Sequence, residues 1–261
     1  MAEQAIRFDD GAAYERYMGT WSRIAGEVFL DWMAPSPALD WLDVGCGNGA
    51  FTEMIVERCV PSSVHGIDPS EEQLAYARTR AGSQMAQFRQ GDAMALPFAD
   101  DAFDVAVMPL VIFFVPEPGK GVAEMARVVR NGGIVAAYAW DLPGGGFPYA
   151  ALQAEMRELG AAVASPPSPD ASRMDALREL WAGAGLDSVE TREITAQRTF
   201  ADFESFWTTV LGGPSVRSGL TAMPAGDVAV LQARMRERLP ADAGRITYAA
   251  RANAVKGRVP R

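Results

Sequence analysis

The sequence predicts an α/β fold: a doubly wound, mostly parallel seven-stranded sheet with helices on both faces and helical insertions at one end. Two observations carry this reading. Strand-like and helix-like segments alternate between residues 39 and 140, the signature of parallel strands joined through crossover helices. The strands there are largely continuous apolar runs, as strands covered on both faces must be. A third observation sharpens it: "LDVGCGNGAFT" places a glycine-rich turn between the first strand and the first crossover helix.

The elements follow in order. "AAYERYMGTWSRIAGEVFLDWM" spaces apolar and aromatic residues helically, with Gly19 expected to divide it into two short helices and Pro35 and Pro37 to end it. "ALDWLDVG", "SVHGID", "AQFRQGD", the start of "FDVAVMPLVIFF" and "GGIVAAYAW" read as strands. "AFTEMIVERC", "SEEQLAYARTRAG" and "GKGVAEMARVV" read as the intervening helices, with Ser70 capping the second. "DLPGGGFP" reads as a flexible connector. Beyond it, "YAALQAEMRELG" and "RMDALRELWAGAG" are helical, and "LDSVETREITAQRTF" and "RITYAARANAVKG" are alternating strands around a mostly helical insert. The expected organisation is an N-terminal helical lid over 1–38 and a ligand-binding core over 39–141. The remainder of the sheet, 142–261, belongs to the same domain, with substrate-side insertions at about 142–185 and 202–240.

Composition narrows the function. The 261 residues are 49% hydrophobic and 22% charged, ordinary for a soluble globular chain. No apolar run approaches the roughly 20 residues that span a bilayer, and the first residues lack the basic-then-apolar order of a signal peptide. The two cysteines, Cys46 and Cys59, have no metal-ligand spacing. A cytoplasmic location and no metal are the expectations. The net charge of −9 opposes a polyanionic partner. A small-molecule substrate is expected, with no nucleic-acid or membrane partner, and the chain as a monomer or homodimer.

Glycine inside an element costs roughly 0.5–1 kcal/mol relative to alanine, so Gly45, Gly47 and Gly49 require a reason. A strand, a glycine turn and a helix leave unpaired backbone N–H groups at the carboxyl edge of a sheet. A dinucleotide site asks for G-x-G-x-x-G; here alanine, Ala50, holds the third glycine's place, and Asp43 adds negative charge where a pyrophosphate is unwelcome. A cationic ligand suits the turn better. The plainer alternative is a tight turn and nothing more.

With these residues in view, the sequence resembles the class I S-adenosylmethionine-dependent methyltransferases, of the small-molecule group called type 11, whose fold is Rossmann-like. "LDVGCGNG", "VHGIDPS", "QGDAMALPFADDAFDVAV" and "EMARVVRNGGIV" match that family's motifs in order over about residues 39–140. The resemblance implies S-adenosyl-L-methionine as cofactor and S-adenosyl-L-homocysteine as product. It implies contacts from Asp43, Gly45, Cys46, Gly47, Asn48 and Gly49 in the first turn, Asp43 reaching the cationic amino group. Asp68, beside Pro69, would accept from both ribose hydroxyls. Asp92, between Gly91 and Ala93, would accept from the adenine amine, with Gln73 as a neighbour and Leu96 and Phe98 as walls of the ring. Met108 is placed beside the cofactor, and Tyr17 or Arg23 toward the methionine carboxylate.

Many members carry a small polar residue and then paired histidines after the fourth strand. Here Met108 and Phe113-Phe114 stand in those places, which implies an apolar pocket and an apolar or aromatic acceptor. Tyr14, Trp21, Pro109, Phe113, Phe114, Tyr138 and Tyr149 are its expected lining, with Asp141 as a further polar candidate. No catalytic residue is singled out. His65, in mid-strand, reads as a packing histidine. Two rivals stay open: a cofactor-binding module without catalysis, and a nicotinamide-dependent dehydrogenase.

Overall fold

The structure, a computed structural model, describes residues 15–261; Tyr14 therefore lies outside the described residues. Five strands, β1 (Asp40–Val44), β2 (Ser63–Asp68), β3 (Ala86–Gln90), β4 (Phe103–Pro109) and β5 (Val129–Trp140), pair in parallel. Three more, β6 (Asp187–Phe200), the two-residue β7 (Ala241–Asp242) and β8 (Arg245–Arg258), complete the sheet. Its order is β3-β2-β1-β4-β5-β8-β6, with β7 turned back on β8, and β8 runs antiparallel to both β5 and β6. The sheet is thus mostly parallel with an antiparallel edge, and the seven expected strands gain one short hairpin strand.

Burial explains why these segments are strands. Trp41, Leu42 and Val44 in β1, and Val105 to Met108 in β4, are buried on both faces of the sheet, which only helical cover on each side allows. Edge strand β6 instead buries Ile194, Ala196 and Phe200 while the residues between them are exposed or partly so, the alternation of a half-covered strand.

Nine helices are named in chain order: α1 (Thr20–Met33), α2 (Ala50–Cys59), α3 (Glu71–Ala77), α4 (Pro118–Val128), α5 (Ala150–Glu158), α6 (Met174–Gly183), α7 (Phe203–Val210), α8 (Pro214–Ala222) and α9 (Ala225–Arg238). Gly19 does not break the first helix. Its backbone is right-handed helical (φ −54°, ψ −47°), and the chain winds on from a wide turn over Glu15–Gly19 into α1. A glycine inside a helix costs only about 1 kcal/mol, and a side chain there would collide with the Glu15 carboxylate. α3 is shorter than its sequence pattern and stops at Ala77, because Arg80 turns back to hydrogen-bond the Asn48 carbonyl at 2.7 Å. The "DLPGGGFP" segment is not a loose connector: Arg251 on β8 grips Asp141 at 2.6 Å and the Gly144 carbonyl at 2.9 Å.

The strand order reverses between β1 and β4. Chain segments leaving these two strands at their carboxyl ends diverge and open a crevice, where ligands of such sheets bind.

Candidate functional site

The glycine turn leaves β1 on one side of that crevice. The Gly45 and Cys46 N–H groups donate to the Ile67 carbonyl at 2.7 and 3.0 Å, fastening the turn to β2. All three glycines have positive φ, +74°, +51° and +77°, but their surroundings differ. A Cβ at Gly45 would stand 2.5 Å from the Val111 side chain, and one at Gly49 would stand 2.9 Å from Ala77. At Gly47 the nearest atom is Gln73 Oε1, 4.0 Å away. Packing requires two of the glycines; the third opens onto free space.

Asp68, at the end of β2, holds this turn. Its Oδ2 accepts from the Gly47 N–H at 3.0 Å and its Oδ1 from the Ser70 N–H at 2.9 Å. Burial raises the Asp68 pKa, and those two hydrogen bonds partly restore its acidity. Ser70 then caps α3 through the Gln73 N–H, while the Pro69 carbonyl accepts from Gln90 at 2.9 Å and ties β2 to β3. Gly91 leaves no room for a side chain against Ile67. Asp92, one strand over from Asp68, is exposed; its Oδ1 accepts from the Met94 N–H at 2.8 Å. Ala93 is half-buried beside it.

Asp43 lies fully buried beneath the turn. Thr52 on α2 donates to its Oδ2 at 2.7 Å, while Oδ1 is buried with no partner among the described residues. Burial, with a smaller contribution from the Asp68 charge, pushes its pKa up to about 7. Cys46 is a packing residue, its sulfur close beneath Gly66, and burial holds its thiol well above the usual range.

A side-chain network not anticipated from the sequence surrounds the turn. The Asn48 amide donates to Glu15, and Arg80 binds Glu15, Glu53 (2.9 Å) and the Asn48 carbonyl.

Across the crevice a cavity of about 360 Å³ opens beyond β4 and β5. Phe113 and Phe114 line it, and so does Tyr17, which the resemblance places toward the methionine carboxylate; Leu110, Trp140 and Phe147 join them. Several expected members lie elsewhere. Trp21 is in the core and donates to the Tyr149 hydroxyl at 3.2 Å. Tyr149 stacks behind Tyr17 with ring centres 4.4 Å apart. Tyr138 packs on Phe29 at 4.8 Å, in the core. Pro109 ends β4 beside Tyr138, and Met108 is fully buried with its methyl toward Gly121 of α4. Neither lines the cavity. Arg23 pairs with Glu27 and Glu57 on the outer face. Glu57 is eight residues along α2 from Gly49, about 12 Å of helix, so Arg23 is directed away from the turn. Phe98 packs edge-on against His65 and Phe103, not in the crevice, and Asp141 is taken by Arg251.

The site therefore joins a main-chain opening at Gly47, an unpartnered buried carboxylate oxygen, acids at two neighbouring strand ends and an apolar cavity. A nucleoside with a cationic arm fits this donor and acceptor set. Residues 42–137 match a family profile described as a methyltransferase domain, type 11. The ubiquinone/menaquinone biosynthesis C-methyltransferase of Dinoroseobacter shibae is 36% identical over 115 residues, covering 42% of this chain and 46% of that protein. The malonyl-[acyl-carrier protein] O-methyltransferase of Pectobacterium atrosepticum is 32% identical over 137 residues, covering 51% and 52%. The chain spans about half the length of these relatives. In solved structures, the YcgJ protein of Bacillus subtilis gives a TM-score of 0.59 at 16% identity, covering 91% of this chain and 98% of that one. Phosphoethanolamine N-methyltransferase 2 of Haemonchus contortus, in complex with S-adenosyl-L-methionine, gives 0.58 at 16%, covering 96% and 57%. These chains share the fold.

The likeness to a type 11 methyltransferase domain thus spans residues 42–137, a little over a third of the chain. Among the described residues, no helix is long and apolar enough to cross a membrane.

Proposed function

We propose that this chain transfers a methyl group from S-adenosylmethionine to a small acceptor with an apolar or aromatic body, by in-line displacement. One observation carries the reading: the acid-flanked glycine turn and the apolar cavity meet at the same reversal of strand order. Gly45 packs on Val111, and Val111 follows Leu110 of the cavity wall. The bound cofactor would supply a methyl group already electrophilic on its sulfonium. The chain has to hold both molecules, orient them and keep water out. Asp68 and Asp92 would accept from ribose hydroxyls and adenine amine, the open face at Gly47 would receive the ligand, and Asp43 Oδ1 would meet the cationic arm. The aromatic walls would fix the acceptor, and orientation of this kind lowers a barrier by about 7–11 kcal/mol.

His65 is enclosed by Phe98 and Phe103, and its imidazole is held below its usual pKa by burial, so it supplies no base to the cavity. Among the described residues no histidine lines the cavity, which suits an acceptor that needs little help in losing a proton. The N-terminal turn and α5 would act as the lid, α5 being braced on α9 by Arg234 and Arg238, both bound to Glu155. Incubation with S-adenosylmethionine and a panel of aromatic acids, phenols and amines tests the proposal. S-adenosylhomocysteine should appear only with an acceptor present and should fall at least tenfold in Asp68→Ala. Cofactor binding without release across the panel would overturn the catalytic part.

A further inference from the structure

The cavity is walled by aromatic and aliphatic side chains, yet Arg157 also lines it. This residue sits in the last turn of α5. Its guanidinium has no ion pair or hydrogen bond with any described residue. The carboxylates of its own helix are already engaged. Glu155 is held by Arg234 at 3.0 Å and Arg238 at 2.8 Å, and Glu158 by Arg234 at 3.3 Å. Asp170 also lines the cavity, but Arg173 shares its field as a cation of its own. In a chain of net charge −9, an arginine with no carboxylate paired to it on an apolar cavity wall is a place for an anion.

A second polar group in the wall lacks a partner. Trp140 is 1% exposed and lines the cavity, and its indole N–H is buried with no acceptor among the described residues. Buried tryptophan N–H groups ordinarily find one. The cavity thus has one accessible unused donor, the Arg157 guanidinium, with a second buried in its wall.

From this we infer that the molecule taken by the cavity is an amphipathic anion. Its flat apolar body lies among Phe113, Phe114 and Phe147, and its carboxylate, sulfonate or phosphate-type group is recognised by Arg157. The guanidinium fork matches the oxygens of such groups, two N–H donors to two acceptors. This deepens the proposed function by naming the acceptor class, and rests on it only in calling the ligand an acceptor.

A matched pair of fluorescent probes tests the inference without turnover. 8-Anilinonaphthalene-1-sulfonate and N-phenyl-1-naphthylamine share one ring framework, and only the first carries an anionic group. The folded full chain should bind the sulfonate at least tenfold more tightly than the neutral amine. Arg157→Gln should remove about tenfold of sulfonate affinity and leave the amine unchanged, Arg157→Lys should restore part of it, and added salt should narrow the difference. Ala164→Trp, filling the cavity, should abolish both signals. Equal affinities in the wild type, an Arg157→Gln variant indistinguishable from it, or probe binding that survives the filled cavity would each overturn the inference. Calorimetry with S-adenosylmethionine on the same Arg157→Gln protein keeps the two readings separate: its failure in the wild type would count against the proposed function, while the probe result would stand on its own.

Discussion

At the scale of single residues, the three glycines of the turn separate folding from binding. Gly45→Ala drives a methyl group into Val111 at a left-handed backbone position and should destabilise the fold by about 2–4 kcal/mol, overpacking added to strain. Gly47→Ala meets no protein atom nearer than 4.0 Å, so only the backbone term of about 1 kcal/mol applies. Thermal unfolding and cofactor calorimetry should therefore split: Gly47→Ala stays folded and loses binding, whereas Gly45→Ala loses stability first. Unimpaired binding by Gly47→Ala would contradict the placement of the ligand there. Asp43 gives a pH prediction. Burial raises its folded pKa to about 7, well above the ordinary aspartate value of 3.8. The folded state then keeps a proton that the unfolded chain gives up, so this residue's contribution to stability declines from about pH 4 to about pH 7 and is level above that. Binding of a cation has the opposite sign, rising through pH 7 as the carboxylate ionises. Asp43→Asn should raise the melting temperature at pH 8 by about 2–6 °C and weaken cofactor binding at least tenfold. Scanning calorimetry paired with titration at pH 6 and 8 checks both signs.

At the scale of elements, the clasp of Arg80 on Glu15, Glu53 and Asn48 joins the start of the described chain to the glycine turn. Arg80→Ala would leave two half-buried carboxylates without their cation, a loss of about 1–3 kcal/mol. It should also speed proteolysis within residues 15–19 and lower cofactor affinity; unchanged cleavage would show the clasp to be incidental. This is also where the sequence was least legible. The strands announced themselves because continuous apolar runs and the β2 segment "SVHGID" leave few alternatives, and the bounds of α2 follow from the turn before it. The clasp has no local signal, because Arg80 reaches Glu15 across 65 positions of chain. Gly19 misled in the other direction, its helix-breaking tendency being too small to outweigh the packing of α1. α8 lies within the mostly helical insert, between the two stretches whose sequence reads as helix.

At the scale of the whole molecule, the acids at the strand ends were far more legible than the cavity. Asp43, Gly47, Asp68 and Asp92 lie at consecutive strand ends, where topology alone gathers them. The cavity instead draws on the segment after β4, the end of β5, α5 and the loop at 164–170, pieces brought together only by tertiary folding. Hence Phe113 and Phe114 were found by their position after β4, while Trp140, Phe147 and Arg157 carried no pattern, and Tyr138 and Trp21 went to the core. Titration calorimetry of the folded chain with S-adenosylmethionine, repeated on Asp68→Ala at pH 8, tests the central claim most directly. One molecule should bind per chain in the wild type, with affinity reduced at least tenfold in the variant. A folded wild-type chain that releases no heat, or a variant that binds equally well, would contradict the account.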